Sequence, residues 1–188
     1  MKKEEIRKKI LQLREGQSLS LKRRKDAKIL NRLLRFPAFA RSKEFFTYLS
    51  HRGEVSTDSL LKKLFKKKKI IVPKLKSKGI CLYELKDAGR FKKGKFGIRE
   101  PAVCIPKKAW HEIDVALIPG VAFDVSGHRI GFGGGHFDRF LKKLDCTTIG
   151  LAYELQIIDK VPTHQYDVPV DFIITEKRTI NCCALRAH

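Results

Sequence analysis

The sequence predicts an α/β fold with three layers, in which a mostly parallel central sheet lies between helices, as a single domain over residues 1–188. Hydrophobic residues make up 43% and charged residues 32% of the 188 positions, which is typical of a globular chain that buries a core. Short apolar runs alternate with segments of helical periodicity. Such alternation is typical of parallel strands that are covered by helices on both faces.

The amino-terminal segment is predicted to be helical. Apolar residues recur at helical spacing over residues 3–15, and Ile10 and Leu13 belong to this predicted core stripe. Lys3 and Arg7 are four residues apart, so both side chains are predicted to project from one side of the helix.

The rest of the chain is predicted to form further helices, followed by alternating strands and helices. Pro37 is predicted to end the second helix, and Pro73 is predicted to stop a short strand. Residues 86–101 are basic and show no periodicity, so they are predicted to form a long loop that covers a cleft. The predicted helices are residues 18–35, 57–68 and 136–144, and the predicted strands are residues 44–49, 69–72, 80–85, 114–118, 147–152 and 170–175.

The formal net charge of +21 admits three interpretations: nucleic-acid binding, recognition of a polyanionic small substrate, or a Lys/Arg-rich surface of the kind found in heat-adapted proteins. The lysines of residues 62–69 surround apolar positions and predict the solvent face of an amphipathic helix. No signature of a nucleic-acid-binding module is present, no apolar run approaches the ~18 residues of a membrane span, and the amino terminus does not resemble a signal peptide. We therefore expect a cytoplasmic protein with neither a nucleic-acid nor a membrane partner. A basic nucleic-acid-binding module without catalysis remains the alternative.

A glycine-rich turn is the most informative stretch. Residues 131–135 contain four glycines in five positions and lead into a predicted helix. Backbone without Cβ atoms can approach an anion closely, and a helix start adds partial positive charge. Arg129 and Arg139 flank the turn, and Asp138 is suited to hold a divalent cation. The stretch predicts a phosphate-binding site, while a flexible loop with a structural role is the alternative.

The run from Asp114 to Leu141 resembles the signature of 5-formyltetrahydrofolate cyclo-ligases, also called methenyltetrahydrofolate synthetases. One departure is that the family's Tyr-Tyr pair is His136-Phe137 here, so two hydroxyl groups are missing. The likeness extends over nearly the whole chain. The other matching segments are Lys3 and Arg7 and residues 49–57, 72–74, 97–101, 149–156 and 167–171.

The resemblance implies a function. The expected reaction is ATP-dependent cyclisation of 5-formyltetrahydrofolate to 5,10-methenyltetrahydrofolate, through phosphorylation of the formyl oxygen and attack by the neighbouring nitrogen. The products would be ADP and phosphate, and Mg²⁺ would be the cofactor. We also expect the enzyme to be a monomer. A sugar-phosphate or acyl-transferring enzyme on a similar sheet is a second alternative, but the sequence offers it no identifiable nucleophile or base.

The resemblance also implies the site residues. Arg129 and Asp138 would be catalytic, Asp138 and Asp167 would hold the metal, and Lys74 and Glu100 are further candidates for the cleft. ATP would be bound by Lys3, Glu4, Glu5, Ile6, Arg7, Arg129, Ile130, Gly131, Phe132, Gly133, Gly134, Gly135, His136 and Phe137. The folate would be bound by Arg7, Leu49, Glu54, Phe132, Gly133, Gly134, Gly135 and His136.

Overall fold

A large central sheet organises the computed structural model, which describes residues 2–76, 79–94, 99–107 and 110–186. The strands are β1 (Glu44–Phe46), β2 (Lys69–Lys76), β3 (Gly79–Leu85), β4 (Phe91–Lys93), β5 (Arg99–Pro101), β6 (Cys104–Pro106), β7 (Val115–Ile118), β8 (Ala122–Phe123), β9 (Arg129–Ile130), β10 (Thr147–Leu151), β11 (Phe172–Ile174) and β12 (Thr179–Asn181). The helices are α1 (Lys3–Glu15), α2 (Leu19–Arg35), α3 (Pro37–Arg41), α4 (Asp58–Leu64), α5 (His136–Leu141) and α6 (Cys182–Arg186), with 3-10 helices at Trp110–Glu112 and Glu154–Gln156. Within the described residues, no helix is long and apolar enough to cross a membrane.

The strand order in the main sheet is β12-β11-β10-β7-β1-β2-β3-β6. The central strands β11, β10, β7, β1 and β2 are parallel to one another. The edge strand β12 pairs antiparallel with β11, and at the other side β3 and the edge strand β6 continue the sheet through antiparallel pairs. All four residues of β7 are buried, as expected of a parallel strand covered on both faces. The prediction of a mostly parallel sheet is confirmed.

Two apolar clusters cover opposite faces of the sheet, because successive side chains of a strand point to opposite sides. Phe45 packs in the cluster that includes Leu33 of α2 and Leu61 of α4. Its neighbour Phe46 packs in the other cluster, where Phe140 of α5 lies 4.5 Å away between ring centroids. The prediction of three layers is therefore confirmed.

The prediction that Pro73 stops its strand is wrong. It lies within β2, opposite Leu82 of β3. The pairing of β1 with β2 ends at Phe46 and Ile71, and the Ile71 carbonyl accepts a hydrogen bond from Thr47 on the β1 side. Because alternate residues of a strand face the same neighbour, the missing N–H of Pro73 points to the side that β1 has already left.

Residues 86–101 are also more regular than predicted. β4 and β5 pair antiparallel, with Phe91 opposite Pro101, although residues 95–98 of this segment lie outside the described residues. Strands of three residues are too short to show a period in the sequence. Helix α2 ends at Arg35, before Pro37, as predicted. Pro37 then occupies the first turn of α3, where its missing N–H needs no partner. Helices α4 and α5 end earlier than predicted, at Leu64 and Leu141.

The turn between β8 and β9 depends on Gly127, whose φ of +89° lies in the region that favours glycine. A Cβ at this position would lie 2.3 Å from the Val170 carbonyl oxygen. We expect Gly127→Ala to lower the free energy of unfolding by about 3 kcal/mol, measured by urea denaturation. Gly131→Ala is the matched control, since its Cβ would meet no atom within 4 Å. Equal losses in the two variants would contradict this explanation.

Candidate active site

The amino-terminal end of α1 contacts two loops at the carboxyl edge of the parallel strands. Lys3 and Arg7 lie one helical turn apart on the same side of α1, as predicted. The Lys3 ammonium lies 2.7 Å from Asp167 Oδ2, and Arg7 Nε donates to the Gly131 carbonyl at 2.9 Å. Although burial raises the pKa of Asp167, hydrogen bonds from Lys3 and His164 lower it below its ordinary value.

Arg129 is buried and joins α5, the helix that follows the glycine-rich turn, to the loop before β11. Its Nη1 donates to the Val168 carbonyl at 2.6 Å, and its Nη2 donates to Asp138 Oδ1 at 2.9 Å. The amide of Val168 also donates to Asp138 Oδ1, at 3.3 Å. Burial lowers the pKa of Arg129, and the adjacent Asp138 carboxylate opposes that shift.

The two predicted metal ligands, Asp138 and Asp167, therefore converge on one loop. Each has one oxygen held by the protein: Oδ1 of Asp138 and Oδ2 of Asp167. Their other oxygens accept no hydrogen bond from the described part of the chain. Within the described part of the chain, no group of three or more His, Cys, Asp or Glu side chains lies close enough together to hold a metal ion. This pair fits Mg²⁺, which is commonly bound by one or two carboxylates together with substrate phosphates and water.

The glycine-rich turn of residues 131–135 is exposed for most of its length. Among the described contacts, none of its amides donates a hydrogen bond. Gly135 has a φ of +61° and forms the N-cap of α5. Arg139 Nη2 fixes the turn by donating to the Gly134 carbonyl at 3.1 Å, and it lies 3.0 Å from His136 Nδ1. The turn thus presents free backbone donors beside several cationic side chains.

The remaining nucleotide-side predictions fall into an exposed set and a buried set. Glu4 and Glu5 are exposed on the first turn of α1, and Phe132 is 50% exposed. Ile6 and Ile130 are buried together in a third apolar cluster. Phe137 packs edge-on against Phe46 with ring centroids 6.4 Å apart.

Two of the residues predicted to bind the folate, Leu49 and Glu54, lie in the loop that follows β1. Leu49 is buried in the core, and Glu54 is only 7% exposed. The His51 amide donates to Glu54 Oε2 at 2.9 Å. Burial raises the pKa of Glu54 to about 7, against the opposing effects of the His51 amide and of the positive charges on Arg14 and Lys22.

The β4–β5 hairpin is joined to this loop by Arg99, which lies 2.6 Å from Asp58 Oδ1 and 3.4 Å from Ser50 Oγ. The two weaker cleft candidates lie elsewhere. The Lys74 ammonium sits over the Tyr83 ring at 4.6 Å, and Glu100 faces Gly94. In the described contacts, neither side chain touches the glycine-rich turn or Glu54. Gly97 and Ile98, which belong to the matched motif around Glu100, lie outside the described residues.

Sequence reasoning missed Arg14, which is 1% exposed. The predicted core stripe of α1 included Leu13, but Leu13 is 50% exposed and the buried residues are Ile6, Ile10 and Arg14. These three follow one another at intervals of four. Because Arg14 follows Ile6 and Ile10 at this spacing, the sequence could have indicated that a charged residue is buried here.

Comparisons with known proteins agree on one family. A model of the 5-formyltetrahydrofolate cyclo-ligase family matches residues 1–176. The 5-formyltetrahydrofolate cyclo-ligase of Haemophilus influenzae is 30% identical over 178 residues, which cover 90% of this chain and 95% of the relative. The Escherichia coli cyclo-ligase is 27% identical over 155 residues, which cover 78% of this chain and 85% of the relative.

Solved structures extend the agreement to the fold. The NMR structure of Aquifex aeolicus 5,10-methenyltetrahydrofolate synthetase superposes with a TM-score of 0.87 and 36% identity, covering 97% of this chain and 93% of the other. The Mycoplasma pneumoniae synthetase gives a TM-score of 0.76 and 28% identity, covering 94% and 99%. These comparisons confirm the predicted fold class and the prediction that the protein is an enzyme. The match over residues 1–176 establishes that the chain belongs to the 5-formyltetrahydrofolate cyclo-ligase family.

Proposed function

We propose that this protein catalyses the ATP-dependent cyclisation of 5-formyltetrahydrofolate to 5,10-methenyltetrahydrofolate, with ADP and phosphate as the other products. The observation that carries the proposal is the exposed glycine-rich turn, whose free amides lie beside Arg7 and Arg139, with the buried Arg129 paired to Asp138 in the helix that follows. Free amides and fixed cations are what a chain of phosphates requires. Membership in the family supports ATP as the phosphate ligand.

In this proposal the phosphates of ATP lie on the turn of residues 131–135. Lys3 and Arg7 approach from α1, and Arg129 supplies positive charge from below the turn. Phosphoryl transfer needs in-line positioning and charge neutralisation more than covalent participation by the protein. The side chains around the turn are of the types that supply both.

Asp138 and Asp167 are the residues that would hold Mg²⁺. When bound there, the ion would neutralise charge on the phosphate oxygens. The contribution of the chain itself is to fix the two carboxylates through Arg129 and Lys3, so that the outward oxygen of each remains available.

The folate is proposed to occupy the space beside Glu54 and Leu49. An ionised Glu54 would accept hydrogen bonds from N–H groups of the pterin, while the buried Leu49 anchors the loop in the core. The net charge of +21 favours the approach of both the nucleotide and the anionic glutamate tail of the folate. We also propose that the enzyme works as a cytoplasmic monomer without a nucleic-acid partner.

The chemistry proceeds in two balanced steps. The formyl oxygen attacks the γ-phosphorus of ATP, the bond to the bridging oxygen breaks, and ADP departs. The folate nitrogen at position 10 then attacks the activated formyl carbon and loses its proton to solvent. The carbon–oxygen bond breaks, and phosphate leaves with the former formyl oxygen. Phosphorylation is needed because a formamide oxygen is otherwise a poor leaving group.

The decisive experiment follows the absorption of the methenyl product with the purified protein and 5-formyltetrahydrofolate. We expect product only when ATP and Mg²⁺ are both present, with one ADP formed for each methenyl group. Omission of each component provides the control. Cyclisation without ATP, or ATP hydrolysis with no methenyl product, would contradict the proposed function.

A further inference from the structure

Arg14 is the charged residue buried most deeply in α1, and the proposed chemistry gives it no role. Its side chain extends from the carboxyl end of that helix into the interior. Nη2 donates to the Arg52 carbonyl at 2.6 Å, and Nη1 donates to the Gly120 carbonyl at 3.3 Å. Arg14 therefore ties together α1, the loop that carries Glu54, and the loop that follows β7.

The Glu54 loop is built around this guanidinium. Arg52 has a φ of +45°, an uncommon value for a residue with a side chain. The next residue, Gly53, has a φ of +74°, and a Cβ there would lie 3.5 Å from Arg14 Cγ. The tight turn thus packs directly on the Arg14 stem, and its carbonyl is held by the Arg14 head group. Such strained backbone persists where its surroundings over-determine it.

The charge of Arg14 is not neutralised by its hydrogen-bond partners, since both acceptors are backbone carbonyls. Its Nε is buried and has no hydrogen-bond partner in the described residues. A buried cation in this condition is costly unless an anion lies nearby. The carboxylate that most strongly favours its charged form is Glu54, because Glu15 is directed to the surface and pairs with Arg52 at 3.1 Å.

Several groups face Glu54 from the elements packed around it. Lys22 of α2 donates to the Glu54 carbonyl at 2.9 Å and to Asp26 at 3.1 Å, so its charge is shared with another carboxylate. The hydroxyl of Tyr48, at the end of β1, donates to the Val55 carbonyl at 3.0 Å, and burial raises its pKa well above the ordinary value. His51 contributes its backbone amide, and the pKa of its imidazole is lowered by partial burial and by Arg52 and Arg14. Unlike Lys22, Arg14 donates no hydrogen bond to a carboxylate in the described contacts.

We propose that Arg14 is a positioning residue for the cyclisation: it holds the loop that carries Glu54 through the Arg52 carbonyl, and it places a buried positive charge beside that loop. Arg14 stands on the same helix as Lys3 and Arg7, so one rigid element aligns the nucleotide end of the site with the folate end. This inference rests on the proposed folate role of Glu54.

The test compares Arg14→Met, Arg14→Lys and a control, Arg24→Met, which changes an exposed arginine of α2. The measurements are kcat, the KM for each substrate, and kcat/KM for the folate across the pH range that brackets the Glu54 pKa of about 7. We expect Arg14→Lys to raise the folate KM about tenfold, because one ammonium group cannot reach both carbonyls, and to leave the pH midpoint near that of the parent. Arg14→Met should raise the KM further and move the midpoint upward, while Arg24→Met changes neither.

Several outcomes would overturn the inference. One is a common pH midpoint in all variants, which would indicate a purely structural role. Another is an ATP KM that rises as much as the folate KM. If Arg14→Met does not fold, Arg14→Lys decides alone, and an unchanged folate KM in that variant overturns the proposal. A parent protein that forms no methenyl product would instead contradict the proposed function, so the two failures are distinguishable.

Discussion

Replacing Asp138 with asparagine is expected to lower kcat by about 10³-fold while the protein remains folded. Asparagine retains an oxygen that can accept from Arg129 and from the Val168 amide, the two donors that contact Asp138 Oδ1. It removes the negative charge that would bind Mg²⁺ and balance the buried guanidinium. Steady-state turnover at several magnesium concentrations measures the effect, and circular dichroism checks the fold.

Asp138→Ala provides the matched comparison. It should be at least as inactive as the asparagine variant and less stable than that variant by about 1–3 kcal/mol, because alanine also removes the oxygen that accepts from Arg129 and from the Val168 amide. The Arg129 side chain is only 3% exposed. Turnover equal to the parent in either variant would remove Asp138 from the proposed metal site. Equal stability of the two variants would show that the hydrogen bonds accepted at this position contribute nothing to folding.

Replacing Glu54 with glutamine is expected to impair folate use and to stabilise the protein at neutral pH. The pKa of Glu54 is raised from 4.5 to about 7 in the folded state, so the folded protein retains this proton longer than the unfolded chain does. Stability contributed at this position therefore falls as pH rises from 4.5 to about 7, by about 3 kcal/mol at most. Glutamine removes this dependence, because it cannot ionise.

Urea denaturation at a series of pH values measures the stability change. The glutamine variant should match the parent below pH 4.5 and exceed it above the folded-state pKa of about 7. Its folate KM should rise by about tenfold or more, because an acceptor for the pterin N–H groups is weakened. Asp145→Asn, at an exposed position, is the control and should change neither quantity. Folate kinetics equal to the parent would exclude Glu54 from the pocket, and an unaltered pH dependence of stability would exclude the raised pKa.

The opposite effects predicted for Glu54→Gln, weaker folate binding and higher stability, have one physical cause. A carboxylate that is to accept hydrogen bonds from a ligand must be ionised, yet burial disfavours the ionised form. Burial in the loop after β1 therefore raises the pKa of Glu54, and the positive charge of Arg14 opposes that shift. Functional sites are where such opposing demands are expected to meet.

Much of the fold could be predicted because the relevant signals are local. Helix α1 begins and ends at the predicted residues, since 3.6-residue periodicity is visible within a single segment. The apolar run in β7 indicated a strand buried on both faces for the same reason. The glycines of residues 131–135 and the ordered family motifs also stand in the sequence itself, so the candidate phosphate-binding turn and the family could be predicted from it.

Other features depended on which segments meet in space. The Lys3–Asp167 pair joins residues 164 positions apart, and the tolerance of Pro73 depends on where the neighbouring strand β1 ends. The burial of Arg14 in place of Leu13 was decided by the carbonyls of two distant loops. The sequence alone determined the family, the parallel strands and the glycine-rich turn, because periodicity and backbone freedom are properties of single segments. Only the tertiary structure decided which carboxylates are paired with cations and which cation is buried against the Glu54 loop, because burial and charge pairing arise between segments that the chain brings together from far apart.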